Sequence, residues 1–292
     1  MDPKIVIVAS AHRPQNWMNL YKSIGDNQVD FELIFVGPNP PDYQLPKNFR
    51  FIRSLVKPTQ CLEIAFRNAT AELVMNMADD CIFKISRPLD RLYEMYKSYN
   101  NDKIILSCRY MVNGQEQPSS GMHFFAEDIN SPMVPLSGLM SRNLFNSIGG
   151  IDRNFIGVMW DLDIAMRVHA LGGDVVLSDV FLDEDKGKST VGSALCGDFW
   201  KHDRGLLENL WVKDGKVNFS RAKPVESFND LNILRASQGP RGRWRSDGWI
   251  LIEKAEDKLK QYMVILGRVI HAIRTPSMYL NYVKRIALRL RR

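Results

Sequence analysis

The sequence lacks the features that mark several common classes of protein. Its strongest apolar stretches, residues 5–9 and 262–266, are much shorter than the ~18 residues that a membrane-spanning helix needs. The first residues do not have the layout of a signal peptide, which is a basic start, an apolar middle and a cleavage site with small residues. The four cysteines include no Cys-x-x-Cys pair, which favours reduced thiols over a disulfide or zinc framework. We therefore expect a cytoplasmic protein.

Several cofactor and catalytic motifs are also missing. No Gly-x-Gly-x-x-Gly follows the first apolar run, which argues against a dinucleotide cofactor, and no His-Glu-x-x-His or Gly-x-Ser-x-Gly occurs. The segment 187–189 is similar to the end of a phosphate-binding loop, but Leu182 stands where such a loop needs glycine. The five histidines are too far apart to predict a metal cluster from their spacing.

Acidic and basic residues are unevenly distributed along the 292 residues. Residues 239–292 hold 13 Lys/Arg and 4 Asp/Glu, a net charge of +9. Residues 1–238 hold 26 Lys/Arg and 29 Asp/Glu, a net charge of −3. The mildly acidic body argues against a nucleic-acid groove, so we expect no nucleic-acid partner. The change in charge predicts a main domain at 1–238 and a separate helical extension at 239–292.

The C-terminal extension has apolar residues at helical spacing from Met263 to Leu290, with Lys284, Arg285 and Arg289 on other faces. This pattern is typical of a basic amphipathic helix, which can lie on an anionic membrane surface. A helix docked on its own domain, or one that forms a dimer, fits the same pattern. The three alternatives stay open at this point.

The first 80 residues alternate between strand and helix patterns. Short apolar runs at 5–9, 31–36 and 72–77 are typical of buried parallel strands. Apolar residues at helical spacing occupy 14–24 and 62–69 between them. The alternation predicts a parallel α/β sheet, and such sheets bind ligands at the carboxyl ends of their strands.

Two neighbouring carboxylates, Asp79 and Asp80, follow the third of these apolar runs. They would lie at the carboxyl end of a strand, where they could hold a divalent metal against a diphosphate, because such cations prefer hard oxygen ligands. The alternative is a simple turn, since aspartate is common in turns.

A further carboxylate, Asp161, opens a helical pattern that runs to Leu171. The start of a helix favours an ionised carboxylate, which is the state that a general base requires. The alternative is that Asp161 is an N-cap, with Asp163 and Arg167 forming an ordinary i,i+4 helix pair.

Four segments, taken in this order, resemble the family-2 type of inverting glycosyltransferases with the GT-A fold. They are Ala9-Ser10-Ala11-His12-Arg13-Pro14; Ala65-Phe66-Arg67-Asn68; Ala78-Asp79-Asp80; and Gly149-Gly150-Ile151-Asp152 followed by Asp161-x-Asp163-x-x-x-Arg167. The ordered match covers roughly residues 4–180. The resemblance implies a GT-A, Rossmann-like α/β fold with a C-terminal helical extension.

The resemblance also implies a role for each matching position. Asp79 would lie near the ribose and diphosphate of a nucleotide-sugar donor, Asp80 would coordinate Mn²⁺ or Mg²⁺, and Asp161 would be the catalytic base. Donor-binding residues would surround them, with the two glycines letting the backbone approach the donor sugar; these are Ser10, His12, Arg13, Lys57, Gln60, Gly149 and Gly150.

Three positions depart from the family pattern. The acidic residue that usually follows the second strand is replaced by Gly37, and this departure concerns the identity of the nucleotide. Trp160 stands where glutamate usually precedes the base, and its ring could stack on a sugar. The metal-binding histidine expected near Asp183 is missing, although His202 could substitute as a metal ligand.

These observations predict a metal-dependent inverting glycosyltransferase that moves a sugar from a nucleotide-sugar donor to a hydroxyl of a glycan or glycolipid. The C-terminal extension is a candidate for contact with a membrane surface. A sugar nucleotidyltransferase would need a glycine-rich loop after the first strand, and the segment 9–14 has no glycine. The remaining alternative is a non-catalytic nucleotide-sugar-binding protein whose tail binds a membrane or a partner. The departures at Gly37 and Trp160 favour that alternative.

Overall fold

The computed structural model describes residues 3–54, 56–124, 131–184, 191–219 and 225, and over 191–199 it describes the backbone alone. All of these residues belong to one compact unit, Met1–Arg245. The predicted boundary between residues 238 and 239, and the predicted C-terminal helix, lie outside the described residues and stay predictions. In the described part of the chain, no helix is long and apolar enough to span a bilayer.

Strands and helices alternate through most of the described chain. In order they are β1 (Ile5–Ser10), α1 (Pro14–Ile24), β2 (Phe31–Gly37), β3 (Phe49–Arg53), α2 (Pro58–Asn68), β4 (Leu73–Asn76), β5 (Cys81–Phe83), α3 (Pro88–Ser98), β6 (Ile104–Val112), β7 (Gln115–Glu116), β8 (Leu139–Ser141), α4 (Arg142–Ser147), α5 (Trp160–Ala170), β9 (Asp174–Glu184), α6 (Val191–Trp211), β10 (Val212–Lys213) and β11 (Lys216–Val217).

Nine of the described strands form one sheet in the order β3-β2-β1-β4-β8-β6-β9-β5, with β7 paired on β6. The strands β3, β2, β1 and β4 are mutually parallel, as the sequence pattern predicts. Next to them β8 is antiparallel to both β4 and β6, whereas β9 is parallel to β6. It follows that β6 and β9 run in the same direction as β4.

Alternate side chains of the buried strands point into two apolar cores, one on each face of the sheet. Val6 and Val8 of β1 lie in the core that also contains apolar residues of α2, α4, α5 and α6. Ile5 and Ile7 lie in the other core, which is covered by α1 and α3. The chain therefore forms three layers, with the sheet between two layers of helices.

Proline begins three of the helices that follow strands. Pro14, Pro58 and Pro88 stand at the first positions of α1, α2 and α3. Proline suits this position because its fixed φ matches a helix and its missing N–H would be unpaired there in any case. The sequence pattern at Pro14 therefore predicted the start of α1 correctly.

Three of the four cysteines are buried free thiols, namely Cys61, Cys81 and Cys108. Burial raises the pKa of the Cys61 and Cys108 thiols to about 12. A thiol with such a pKa remains protonated at neutral pH, and it is therefore a poor nucleophile. These three residues have a packing role.

Candidate functional site

The predicted site segments share the carboxyl edge of the sheet. Ser10 ends β1 and the Asp79–Asp80 pair follows β4, which is parallel to β1. Helix α5 leads through a short connection into β9 and packs beside it, so α5 runs antiparallel to β9 and begins at this same edge. Helix α2, which precedes β4, also begins there. The edge thus gathers the starts of α2 and α5, where Lys57, Gln60 and Asp161 lie.

Asp79 binds the loop between β1 and α1. Its Oδ2 accepts hydrogen bonds from the backbone N–H groups of His12 (2.6 Å) and Arg13 (2.8 Å) and from Nε1 of Trp17 (3.3 Å). Its Oδ1 accepts from Nε of Arg13 (2.8 Å) and from Nη2 of the same side chain. The carboxylate is 1% exposed. Both of its oxygens are thus engaged by the protein.

Arg13 joins the two neighbouring aspartates. Its guanidinium donates to Asp79 through Nε and Nη2 and to Oδ2 of Asp80 through Nη1. One positive charge therefore compensates part of the negative charge of two buried carboxylates, which would otherwise repel each other strongly. The resemblance in sequence predicted that Arg13 lines the nucleotide pocket, and the structure adds its ion pairs with Asp79 and Asp80.

Asp80 differs from its neighbour because one oxygen has no partner. Oδ1 is buried and makes no hydrogen bond within the described structure. Burial, reinforced by the negative charges of Asp79 and Glu184 and opposed by Arg13, raises the pKa of Asp80 to about 6. The segment is a turn, in which the Cys81 N–H donates to the Ala78 carbonyl, as the simpler alternative had it. A buried carboxylate oxygen without a partner nevertheless points to a ligand.

The carboxylate of Asp80 fits a divalent cation of the kind that the sequence predicts. Mg²⁺ in phosphate sites is commonly held by one or two carboxylates together with substrate phosphates, and Asp80 Oδ1 supplies one such oxygen. The predicted set of three ligands is not assembled: among the described residues, no three potential ligands cluster around a metal position. Asp79 is engaged by Arg13 and backbone N–H groups, and Nδ1 of His202 bonds to Asp203 at 2.8 Å.

Asp161 is the second residue of α5, and its side chain is half-buried. Its Oδ1 accepts a hydrogen bond from the Leu162 N–H at 2.9 Å. Burial raises the pKa of Asp161 to about 6, and the backbone donors at the helix start lower it only in part. The alternative that Asp161 is the N-cap is wrong, because Met159 is the N-cap, with a φ of 62°.

Two neighbours of Asp161 turn out to be structural. Asp163 accepts hydrogen bonds from Nε of Arg167 (3.0 Å) and from Nε1 of Trp211 (2.9 Å), all three residues being buried. The i,i+4 pair between Asp163 and Arg167 is thus confirmed, and the bond from Trp211 makes it a buried connection between α5 and α6. Trp160 is 7% exposed and its ring lies 6.3 Å from that of Phe66, so the predicted stacking on a sugar is wrong.

The start of α2 places two predicted donor-binding residues in buried positions. Lys57 is 1% exposed, its Nζ donates to the Arg153 carbonyl at 2.6 Å, and burial lowers the pKa of its ammonium to about 7. Gln60 is fully buried, and neither atom of its side-chain amide has a hydrogen-bond partner in the described structure. The Cys61 thiol beside it interacts with Ser10. This contact brings the start of α2 against the end of β1.

Three glycines near this edge lie so close to other parts of the chain that a side chain would collide with them or press against them. A Cβ on Gly37 would lie 1.7 Å from the carbonyl oxygen of Ala11, so the family's acidic residue cannot be accommodated there. Gly150 has a φ of 74°, and a Cβ there would lie 2.8 Å from the Glu63 carboxylate. At Gly149, with a φ of 86°, a Cβ would lie 3.3 Å from Val225. The predicted approach of the two later glycines to a donor sugar stays a prediction.

Sequence reasoning missed Asp203, a fully buried carboxylate on α6. It accepts hydrogen bonds from the backbone N–H groups of Ile156, Gly157 and Val158. A buried aspartate inside an amphipathic helix is an unusual position for a charged residue, which is the one signal that the sequence offered. Its partners are 45 to 47 residues away, and no local pattern reveals them.

No protein-family model and no curated protein matches this chain. Among solved structures it is similar to Staphylococcus aureus TarS, a glycosyltransferase. One TarS structure has a TM-score of 0.52 and 14% identity, and the match covers 74% of this chain and 41% of the TarS chain. The TarS 1–349 fragment in complex with UDP-GlcNAc has a TM-score of 0.51, 13% identity and coverage of 74% and 68%. Another match, to TarS 1–349, has a TM-score of 0.48 at 13% identity and covers 62% of this chain and only 60% of the fragment.

These similarities show the fold. The chain has a GT-A fold, as the resemblance in sequence implied. The family-2 assignment stays a prediction, because identities of 13–14% identify a fold and not a family.

Proposed function

We propose that this chain is a glycosyltransferase that moves a sugar from a nucleotide-sugar donor to a hydroxyl group of an acceptor. The proposal is carried by the unpartnered Asp80 oxygen together with the Asp161 carboxylate, which the sheet topology places at the same carboxyl edge of a GT-A fold. A donor site and a base are the two parts that direct sugar transfer requires. The similarity to TarS, whose fragment binds UDP-GlcNAc, supports a nucleotide-sugar donor.

The donor diphosphate would lie against the β1–α1 loop and the acidic pair. Asp80 would hold Mn²⁺ or Mg²⁺ through its free oxygen, and that cation would neutralise charge on the departing diphosphate. Asp79 would act differently from the family expectation: it fixes the positions of His12 and Arg13, which would face the donor. Ser10, which contacts the Cys61 thiol, and Gln60, whose amide has no hydrogen-bond partner in the described structure, would contact the nucleotide.

Asp161 would remove the proton from the acceptor hydroxyl as its oxygen attacks the anomeric carbon. With a pKa of about 6 the carboxylate is mostly ionised at pH 7, yet it is a stronger base than an ordinary aspartate. A single attack by the acceptor from the side opposite the leaving diphosphate inverts the anomeric configuration. One base is enough for this reaction, and the described edge offers Asp161 in that role.

The two departures that favoured a non-catalytic binding protein have structural explanations. Gly37 is required by the close approach of Ala11, and Trp160 is part of the core. Neither substitution removes the carboxylates at positions 80 and 161. We therefore keep catalysis as the proposed function, with a glycan or glycolipid as acceptor and an anionic membrane surface as a partner of residues 239–292.

Donor binding is tested by thermal unfolding with a panel of nucleoside diphosphates and nucleotide sugars, each with and without Mn²⁺. We expect one nucleotide sugar to raise Tm in the presence of Mn²⁺, since a ligand at 100 times its Kd stabilises by about 2.7 kcal/mol. The variant Asp80→Asn should lose this metal-dependent rise. If no member of the panel raises Tm, with or without metal, the proposed function is wrong.

A further inference from the structure

The segment that leads into Asp161 is irregular but buried. We call residues 152–159 the base loop; it connects α4 to α5 without forming a helix or strand of its own. Phe155 is fully buried and Ile156 is 2% exposed. The loop ends at Met159, whose left-handed backbone (φ 62°) is unusual for a residue other than glycine and sets the direction in which α5 begins. The position of Asp161 therefore depends on what holds the base loop.

On one side the base loop is bound by the carboxylate of Asp203. This carboxylate accepts hydrogen bonds from three successive backbone N–H groups, those of Ile156 (3.0 Å), Gly157 (2.8 Å) and Val158 (2.9 Å). Hydrogen bonds to an ionised acceptor are stronger than neutral ones, and three from consecutive residues fix the backbone rotation between them. The last of the three immediately precedes Met159.

On the other side the base loop is bound by the start of α2. The Thr59 hydroxyl donates to the Phe155 carbonyl at 2.6 Å, and the Thr59 N–H donates to the Ile156 carbonyl at 3.2 Å. Lys57 Nζ donates to the Arg153 carbonyl at 2.6 Å. The attraction between the Lys57 ammonium and the Asp203 carboxylate acts across the same loop. The N–H groups of the loop are thus held by α6 and its carbonyls by α2.

We propose that Asp203 is a positioning residue for Asp161: it fixes the base loop so that α5 begins with the Asp161 carboxylate directed to the acceptor. This inference rests on the proposed function. It also gives His202 a role other than the predicted metal ligand, because its Nδ1 bonds to Oδ1 of Asp203 at 2.8 Å and its ring is one-third exposed. His202 orients the carboxylate that holds the loop.

The test compares Asp203→Asn in the full chain with Glu208→Gln, which lies on the exposed side of the same helix. Asparagine keeps the shape but offers one neutral acceptor oxygen in place of two charged ones. We expect hydrogen exchange at the amides of residues 156–158 to become at least about 10-fold faster, since their acceptor is weakened. For sugar transfer we expect kcat to fall about 10- to 100-fold while the donor KM changes less than about 2-fold, because among the described residues Asp203 hydrogen-bonds to the base loop and His202 and not to the β1–α1 loop or Asp80. Glu208→Gln should leave all three quantities unchanged.

A pH profile separates positioning from a general loss of stability. A loosened base loop admits water to Asp161, so the acid limb of kcat in Asp203→Asn should move to lower pH than in the wild-type protein. Unchanged kcat together with an unchanged acid limb overturns the inference. If Asp203→Asn does not fold, hydrogen exchange in the wild-type protein decides. Unprotected amides at residues 156–158 overturn the inference. Protected amides, together with a reduced kcat in Asp203→Glu, support it.

Failure of the proposed function has a different outcome. Wild-type protein that binds a nucleotide sugar but transfers nothing to any acceptor overturns the transferase proposal, and the positioning role with it. Wild-type protein that transfers sugar, with Asp203→Asn equally active, overturns the positioning role alone.

Discussion

Two adjacent aspartates at the end of β4 have different physical tasks. Asp79 accepts donors at both oxygens and is held by Arg13, whereas Asp80 keeps one buried oxygen without a partner. Neighbouring carboxylates with different environments are a common feature of catalytic sites, because the environment assigns each a charge state. The resemblance in sequence assigned Asp79 to the ribose and diphosphate and Asp80 to the metal. In the structure Asp79 anchors the β1–α1 loop, and Asp80 has an unpartnered oxygen.

Activity should fall in acid because the proposed base has a raised pKa. Burial raises the pKa of Asp161 to about 6, and this carboxylate must be ionised for the proposed reaction. Below that pH, kcat/KM should fall about 10-fold per pH unit. The measurement is kcat/KM from pH 4.5 to 8, with circular dichroism at each pH to exclude unfolding. A flat profile down to pH 5 would contradict this prediction.

Asp161→Asn should abolish transfer while stabilising the protein. We expect kcat to fall about 10³-fold, since asparagine cannot accept the proton, with the donor-induced rise of Tm unchanged. In the folded protein the pKa of Asp161 lies above its ordinary value, so the protonated carboxyl group favours folding. This stabilisation is lost as the pH rises through about 6, and the ionised carboxylate opposes folding at neutral pH. Asp161→Asn should therefore raise Tm at pH 7.5 by a few degrees and by less at pH 4.5.

The control for Asp161→Asn is Asp214→Asn, in the exposed turn between β10 and β11. Its backbone has a positive φ of 53°, which asparagine tolerates as well as aspartate does. This variant should change neither kcat nor the pH dependence of Tm. If Asp161→Asn remains active, the base has been assigned to the wrong residue.

At the scale of elements, the end of β2 is fixed by a backbone contact. Gly37 lies against the carbonyl of Ala11, which itself pairs with β2 through its N–H. We expect Gly37→Ala to lower stability by about 3 kcal/mol, because its Cβ forces the β1–α1 loop away. The expected loss of Tm is about 5–10 °C, measured by calorimetry.

Gly205 in α6 provides the matched control. A Cβ there would meet no atom within 4 Å, and alanine is favoured over glycine within helices by about 0.5–1 kcal/mol. Gly205→Ala should thus raise Tm slightly. Equal effects of the two substitutions would show that the contact at Gly37 has no special energetic role.

Local pattern predicted the elements better than their partners. Apolar runs and proline positions predicted β1, β2, β4, α1 and the start of α5, because burial and helix starts depend on neighbouring residues. The antiparallel insertion of β8 between β4 and β6 depends on pairing between distant segments. The left-handed backbone of Met159 and the hydrogen bonds of Asp203 likewise have no local signal. The elements were therefore easier to predict than the long-range contacts that hold them.

At the scale of the whole molecule, the GT-A sheet supplies one edge at which distant segments meet. Parallel strands bring the ends of β1 and β4 together, and helices that lead into parallel strands begin at the same edge. That arrangement places Asp80 and Asp161, 81 residues apart in the sequence, at one edge, where the proposed transfer would use both carboxylates.

The basic C-terminal region is the proposed site of membrane contact. With a net charge of +9 over residues 239–292, we expect the full-length protein to float with vesicles containing anionic lipid at low salt. The full-length variant Lys284→Gln/Arg285→Gln/Arg289→Gln/Arg291→Gln should float much less, because each basic residue near the surface contributes about 1 kcal/mol. Added salt should weaken flotation of the wild type, and neutral vesicles should retain neither protein. Equal flotation of wild type and variant on anionic vesicles would remove the membrane surface as a partner and would favour a soluble glycan as the acceptor.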